Sequence, residues 1–437
     1  MSQTVQTLTE FIRNQSQSSE LDAAAERHPN IPRLIIIKID AQRRGVHYGE
    51  RALAAFDPAI HQARALALFG SRDGEVTGKP EALLLRDGTS VLADPTPLDR
   101  NPYVVDVVDG RLVLTDAGKI IEEVTYWPKP KYYGKRTTSG VLMEHVVTAR
   151  PQRFNVFPSS YCHFWTNDKG CQYCDIVNHQ KQTLKELKAP ARLRGHDIAE
   201  VIREGLKETG RFTTICLTAG SDTRGPNAFD TEVGFYEEIL DALSELFGGR
   251  PFPSQLISSA FDLNQLERLA KRGLTSWTTD LEVLNPRLFA WICPGKEEWV
   301  GYARWRQRLI DGVSLFGRGR VASGIVGGVE LAKPHGYATE EEALKRTLAE
   351  ADELGRQGVS VISTVWNPRP GSKFKDQKVP SLDYFIRLAQ GLHEVRVRHQ
   401  LNVDYDDYRR CGNHPDTDLS RVLPDFGNGR TQEVTHD

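Results

Sequence analysis

Three of the chain's six cysteines fall in one short stretch, "YCHFWTNDKGCQYCDI", at Cys162, Cys171 and Cys174. The spacing is C-x8-C-x2-C. In a reducing compartment such a cluster points to a metal or redox site rather than a disulfide framework. Three thiolates are one short of a closed zinc site, which His163 or His179 could complete. Three thiolates also suit a [4Fe–4S] cluster with one iron left open to a substrate or cofactor.

The elements around this stretch place it. From about residue 150 onward, apolar β-type runs alternate with helical segments. The strand candidates are Arg153–Pro158, Phe212–Thr218, Gln255–Ala260, Ser276–Val283, Val321–Gly327 and Ser360–Val365. Helical patterns such as "HDIAEVIREGLKETG" and "TEEEALKRTLAEADELGRQG" separate them, several starting on Asp or Thr and ending on Gly. Strict alternation implies right-handed crossovers and a parallel sheet, open or partly closed into a barrel. In either, chemistry gathers at the carboxyl ends of the strands. Cys162 follows the first strand by a few residues and so belongs to that rim.

The first part of the chain has a different texture. Residues 1–30 read as a polar helical start, and "LIIIKID" (Leu34–Asp40) reads as a buried strand. Asp87-Gly88 and Asp109-Gly110 each lie between β-rich flanks, a hairpin signal. "YWPKPKYYGKRTTSG" (Tyr126–Gly140) reads as a linker. The expected organisation is an α/β or β-rich accessory domain with linker over 1–140, a barrel over 141–400 and an extension over 401–437.

The chain has 437 residues, enough for two domains, and a net charge of −2. That balance offers no field for nucleic acid or anionic lipid. The sequence contains neither an apolar run near 18 residues nor a signal-peptide pattern. A cytoplasmic location and no membrane partner are expected. No internal repeat is evident.

Several of these stretches together resemble the radical S-adenosylmethionine superfamily, with a biotin-synthase-like flavour. "CQYC" matches the second half of that superfamily's C-x3-C-x-Φ-C loop, with Tyr173 at the aromatic position that contacts adenine. The first gap departs, with eight residues in place of three. "ICLTAGSD" matches the glycine-rich turn that ends strand two, so Thr218, Ala219, Gly220 and Ser221 would receive the methionine amino group. "TTDLEVLNPRLFAWICPGK" is similar to the strand-four end, where Glu282 would stand near the ribose. In "YARWRQRL", Arg306 fits the carboxylate-binding arginine better than Arg304 or Arg308. "VASGIVGGVE" resembles the fifth-strand motif, with Ile325–Gly327 packing under the adenine, and "NPRPGSKF" resembles the sixth-strand turn.

The resemblance implies a partial (β/α)6 TIM-like barrel. It implies a [4Fe–4S] cluster held by Cys162, Cys171 and Cys174, with S-adenosylmethionine on the open iron. Reductive cleavage would give a 5′-deoxyadenosyl radical that takes hydrogen from a small-molecule substrate. A flavodoxin- or ferredoxin-type donor is implied. Rearrangement, ring formation and C–C or C–S chemistry are the reaction classes. A cobalamin-binding D-x-H-x-x-G pattern is absent, and the remaining cysteines are too scattered for a second four-cysteine cluster. Cys216 and Cys293 read as packing residues, and Cys411 with His414 as a loop pair of open role. Two other readings compete: a radical enzyme modifying RNA or protein, and a zinc-stabilised non-radical scaffold.

Overall fold

The computed structural model describes residues 20–64, 78–150, 152–159, 161–176, 192–401 and 412–423. Cys411 and His179 lie outside them.

Two sheets organise the chain. The first has six strands: β1 (Val46–Tyr48), β2 (Leu83–Leu85), β3 (Ser90–Val91), β4 (Tyr103–Val108), β5 (Arg111–Asp116) and β6 (Lys119–Tyr126), in the order β1-β4-β5-β6-β2-β3. Both Asp-Gly hairpins are present. At Asp109-Gly110 both residues have positive φ, 50° and 74°, the backbone that a two-residue hairpin turn between β4 and β5 requires. At Asp87-Gly88 the turn joins β2 to β3, and Gly88 donates to Leu85 O at 2.9 Å.

The helices that pack with this sheet include α1 (Glu20–Arg27) and α2 (Arg33–Arg44). The second corrects the strand expected over Leu34–Asp40. Its residues Ile35 through Gln42 are all buried, including Lys38 and Asp40. A helix buried on every side shows no polar face, so its sequence reads as one continuous apolar run. Its buried charges are matched. Lys38 pairs with Asp418, and Tyr103 donates to Asp40 at 2.7 Å.

The second sheet runs β13-β12-β11-β10-β9-β8-β7. It comprises β7 (Thr148–Arg150), β8 (Arg153–Val156), β9 (Thr214–Thr218), β10 (Ser254–Ile257), β11 (Ser276–Thr278), β12 (Val321–Gly327) and β13 (Val359–Val365). Strands β8 to β13 are parallel throughout, and only β7 runs antiparallel, beside β8. This is a partial (β/α)6 barrel with β7 and β13 at its edges.

Between the strands lie α3 (His163–Thr166), α4 (Gly195–Gly205), α5 (Asp230–Leu246), α6 (Leu263–Ala270), α7 (Pro286–Ile292), α8 (Pro294–Trp299), α9 (Tyr302–Phe316) and α10 (Glu340–Arg356). After β13 come α11 (Leu382–His399) and α12 (Pro415–Val422). Local chemistry starts them. Asp262 and Gln265 form a reciprocal capping box on α6, Asn285 caps α7 ahead of Pro286, and Thr339 caps α10.

The first sheet and its helices touch both barrel edges. Gln62 donates to Ala149 O on β7 at 2.9 Å, and Glu81 pairs with Arg150 at 2.5 Å. At the other edge Arg369, just past β13, pairs with Asp94, and Asn367 donates to Gln42 O at 3.4 Å. The N-terminal layer therefore spans the opening between β7 and β13. None of the described helices is long and apolar enough to cross a membrane.

Candidate functional site

A cavity of about 360 Å3 lies at the carboxyl ends of the barrel strands. Cys162, Cys171 and Cys174 all line it, and none is in a disulfide.

The loop after β8 explains the long first gap between the cysteines. Its residues fold into α3 and close on themselves, with Trp165 donating to Cys162 O at 3.2 Å and Lys169 to Phe164 O at 2.8 Å. The second half is a tight turn in which Cys174 donates to Cys171 O at 3.0 Å. Neighbouring elements fix the loop from outside. Gln172 donates to Ile292 O at 2.8 Å, Gly295 to Lys169 O at 3.0 Å and Phe374 to Gln172 O at 3.1 Å. Eight residues thus make a packed helical turn rather than a slack loop.

The end of β9 presses against this loop. A Cβ on Gly220 would lie 2.5 Å from the Cys162 Cβ and 2.6 Å from Tyr161 O. No side chain fits there, which is why glycine occupies it. His163 donates to Ser221 O at 2.7 Å across the same contact. Thr218, Ala219, Gly220 and Ser221 all line the cavity.

Past β11 the chain turns sharply at Glu282, whose φ is 66°. Such a backbone is strained for a residue with a Cβ. Two hydrogen bonds hold it to β12: Glu282 donates to Gly324 O at 3.1 Å and receives from Val326 at 2.9 Å. Lys296 on α8 donates to the Glu282 carboxylate and to Asp280 O, each at 2.6 Å. The Lys296 ammonium also lies 4.7 Å from the centre of the Trp305 ring. Burial raises the Glu282 pKa and Lys296 pulls it back. Lys296 closes the "TTDLEVLNPRLFAWICPGK" stretch, where a lone lysine carries no mark of a site residue.

The Tyr173 side chain lies close enough to both Cys171 and Glu282 to lower the pKa of each, so the aromatic of the cysteine loop neighbours the strand-four carboxylate. The thiols differ. Burial and then Cys171 push Cys162 up to about 11, and burial pushes Cys174 up further. The pKa of Cys171 is lowered, first by the neighbouring Cys293 thiol and then, against its burial, by Lys296. Cys293 is fully buried in the hydrophobic core, next to the middle cysteine. Cys216 is fully buried in β9.

Two expected positions fall differently. Arg306 does not reach the cavity. On α9 the face bearing Trp305 and Leu309 is buried, and Arg306 turns away to pair with Glu350 of α10 at 2.6 Å. Arg304 is exposed, and Arg308 donates to Ala260 O. Ile325 is buried, but the residue of this segment that lines the cavity is Val326. Alternation along β12 turns the two side chains to opposite faces.

Among the described residues, no three His, Cys, Asp or Glu side chains converge to hold a single metal ion.

No family model matches the chain. Over 144 residues the chain is 26% identical to bacteriochlorophyllide c C-7(1)-hydroxylase of Chlorobaculum limnaeum, a match that spans 33% of each protein. The chain thus covers about a third of that relative's length. Among solved structures, the FeFe-hydrogenase maturase HydG of Carboxydothermus hydrogenoformans aligns with TM-score 0.41 and 20% identity, over 59% of this chain and 54% of that one. A radical SAM methyltransferase from Sphaerobacter thermophilus gives TM-score 0.41 and 15% identity, over 71% and 80%. Coproporphyrinogen III oxidase HemN of Escherichia coli, a radical SAM enzyme, gives TM-score 0.35 and 14% identity, over 59% and 55%.

Proposed function

We infer that this chain is a radical S-adenosylmethionine enzyme acting on a small molecule. The observation that carries this reading is that Cys162, Cys171, Cys174, the Thr218–Ser221 turn and Glu282 all line one cavity at the strand ends. The donor set fits a [4Fe–4S] cluster: three cysteines without disulfides, on a loop whose approach to β9 leaves no room for a Cβ at Gly220. When bound, the cluster and S-adenosylmethionine would supply one-electron reductive cleavage and a hydrogen-abstracting radical.

The chain's own residues would do the rest. Cys162, Cys171 and Cys174 would hold three irons. The exposed backbone carbonyls of Thr218–Ser221 would accept hydrogen bonds from the methionine ammonium. Tyr173 and Glu282, already neighbours, would border the adenosyl group, and Lys296 would aim the Glu282 carboxylate through their hydrogen bond. Val326, the cavity-lining residue of the Ile325–Gly327 segment, would pack on the apolar side. The N-terminal layer across the barrel opening supports a small substrate over a macromolecular one. The curated relative, named as a hydroxylase of a bacteriochlorophyllide, supports the same choice. A low-potential electron donor of flavodoxin or ferredoxin type completes the proposal.

Anaerobic reconstitution tests it. The expected result is a brown protein with about four irons per chain and absorption around 400 nm, which forms 5′-deoxyadenosine when reduced with dithionite in the presence of S-adenosylmethionine. Cys171→Ala is expected to lose both colour and turnover. A colourless protein with one zinc per chain would overturn the reading.

A further inference from the structure

The seam between the N-terminal layer and the barrel holds more polar atoms than it satisfies. Arg64 lines the cavity and is only 8% exposed. One of its terminal nitrogens donates to Ala93 O at 3.0 Å, and its Nε has no partner. The other two guanidinium groups in this wall are matched by carboxylates, Arg150 by Glu81 at 2.5 Å and Arg369 by Asp94. Among the described residues none supplies Arg64 with such a carboxylate.

Uncharged polar atoms stand beside it in the same state. Gln42 Nε2 donates to Gly412 O at 2.6 Å and lies 3.5 Å from Leu92 O, the carbonyl next to the one Arg64 uses. Gln42 Oε1 has no partner. Asn367 Nδ2 donates to Gln42 O at 3.4 Å, and its Oδ1 has no partner either. The Trp366 indole N–H is likewise unmatched. All four residues line the cavity that the cysteines line.

Buried polar groups without partners are uncommon, and a buried charge without a counter-charge is costly. Water can serve an amide oxygen, but it does not neutralise a guanidinium. An anionic ligand that also carries hydrogen-bond donors satisfies the whole set. We propose that this seam anchors the substrate, which is a small carboxylic acid bearing a hydroxyl or amino group. Its carboxylate would sit on Arg64 and its donors on Gln42 Oε1 and Asn367 Oδ1. The proposal rests on the small-molecule reading above and names the substrate class for it. A guanidinium fork suits a planar carboxylate, which a lysine would meet only as a point charge. The anion belongs to substrate rather than to S-adenosylmethionine because Arg64 comes from the N-terminal layer, held by Lys79 and Ala93 of that layer. The proposed cofactor contacts lie on the barrel side, in the cysteine loop and at the exits of β9, β11 and β12.

The test uses the full reconstituted chain with S-adenosylmethionine bound. Affinities are measured by calorimetry for L-lactate, L-phenyllactate, L-alanine and L-phenylalanine, each against its primary amide. At least one acid is expected to bind tenfold or more tightly than its amide. Arg64→Gln should bring that ratio close to one while leaving the affinity for S-adenosylmethionine and the visible absorption unchanged. Arg64→Lys, which keeps the charge, should retain part of the preference and guards against misfolding of the first variant. Equal binding of every acid and amide by the unaltered protein would overturn the proposal, as would an undiminished preference in Arg64→Gln. Weakened binding of S-adenosylmethionine in Arg64→Gln would overturn it too, by assigning the anion to the cofactor. The two readings fail separately. A brown, deoxyadenosine-forming protein without acid preference removes only the substrate anchor. A colourless protein that still prefers acids removes only the radical chemistry.

Discussion

Lys296 and Glu282 meet at 2.6 Å with both side chains largely buried, and Glu282 holds a left-handed backbone to make the contact. The pair couples two elements of the rim, the end of β11 and the α8 helix that also braces the cysteine loop. Removing one partner of a buried pair leaves the other charge stranded, at a cost of roughly 3–5 kcal/mol. Lys296→Met is therefore expected to destabilise the protein by roughly 3 kcal/mol in urea unfolding. Glu282→Gln with Lys296→Met should recover a good part of that loss. If the single and double variants unfold at the same urea concentration, the pair does not hold the rim.

Gly220 offers a sharper test of the cysteine loop. Alanine there puts a methyl 2.5 Å from the Cys162 Cβ, so the loop or the β9 end must move. Overpacking of this kind costs on the order of 1–3 kcal/mol. Gly220→Ala should fold, with a lowered midpoint, and take up clearly less iron on reconstitution. Gly234→Ala is the control. Its site in α5 has nothing within 4 Å, and alanine in a helix interior gains about 0.5–1 kcal/mol over glycine. Equal iron uptake by both variants would count against the close contact.

These two positions also show what the sequence made legible. Gly220 and Glu282 belong to motifs written on consecutive residues, at the ends of strands whose apolar runs are bounded by capped helices. Val321–Gly327 has the same limits in sequence and structure for that reason. Leu34–Asp40 misled because a helix buried on all sides loses its period. Arg306 misled because residues next to each other on a helix differ by about 100° in direction, and Trp305 took the inward one. Gln42 and Arg64 carried no signal, and Asn367 only its place at the head of the sixth-strand turn. They are hundreds of residues apart at the extremes, 325 between Gln42 and Asn367, and only the layer across the barrel opening brings them together.

Cys293 read as a packing residue and is fully buried; its thiol is also near enough to Cys171 to lower the pKa of that thiol. Hydrogen bonds to cluster sulfurs stabilise the more negative, reduced state and raise its potential. Cys293→Ala should keep a full iron content, because the three ligands remain. Its reduction potential should move to a more negative value in a redox titration followed by electron paramagnetic resonance. Loss of iron in this variant would instead make Cys293 a ligand, and an unmoved potential would return it to packing alone.

Glu232 makes the rim sensitive to pH. Its carboxylate sits between the exits of β9 and β10, where it receives Asp222 N at 2.9 Å, Ser259 N at 3.0 Å and the Ser259 hydroxyl at 2.7 Å. Burial outweighs these donors and raises its pKa from 4.5 to about 7. The folded state therefore binds this proton more tightly than the unfolded chain does. Below about 4.5 both states are protonated and the term is fully favourable; as pH rises through about 7 it is lost. Over that window the contribution falls by roughly 3 kcal/mol at most. Glu232→Gln cannot ionise, so its unfolding free energy should show a shallower decline between pH 4.5 and 7 than that of the unaltered protein. Parallel curves from urea unfolding across that range would show that Glu232 is already charged in the folded rim, held so by its three donors.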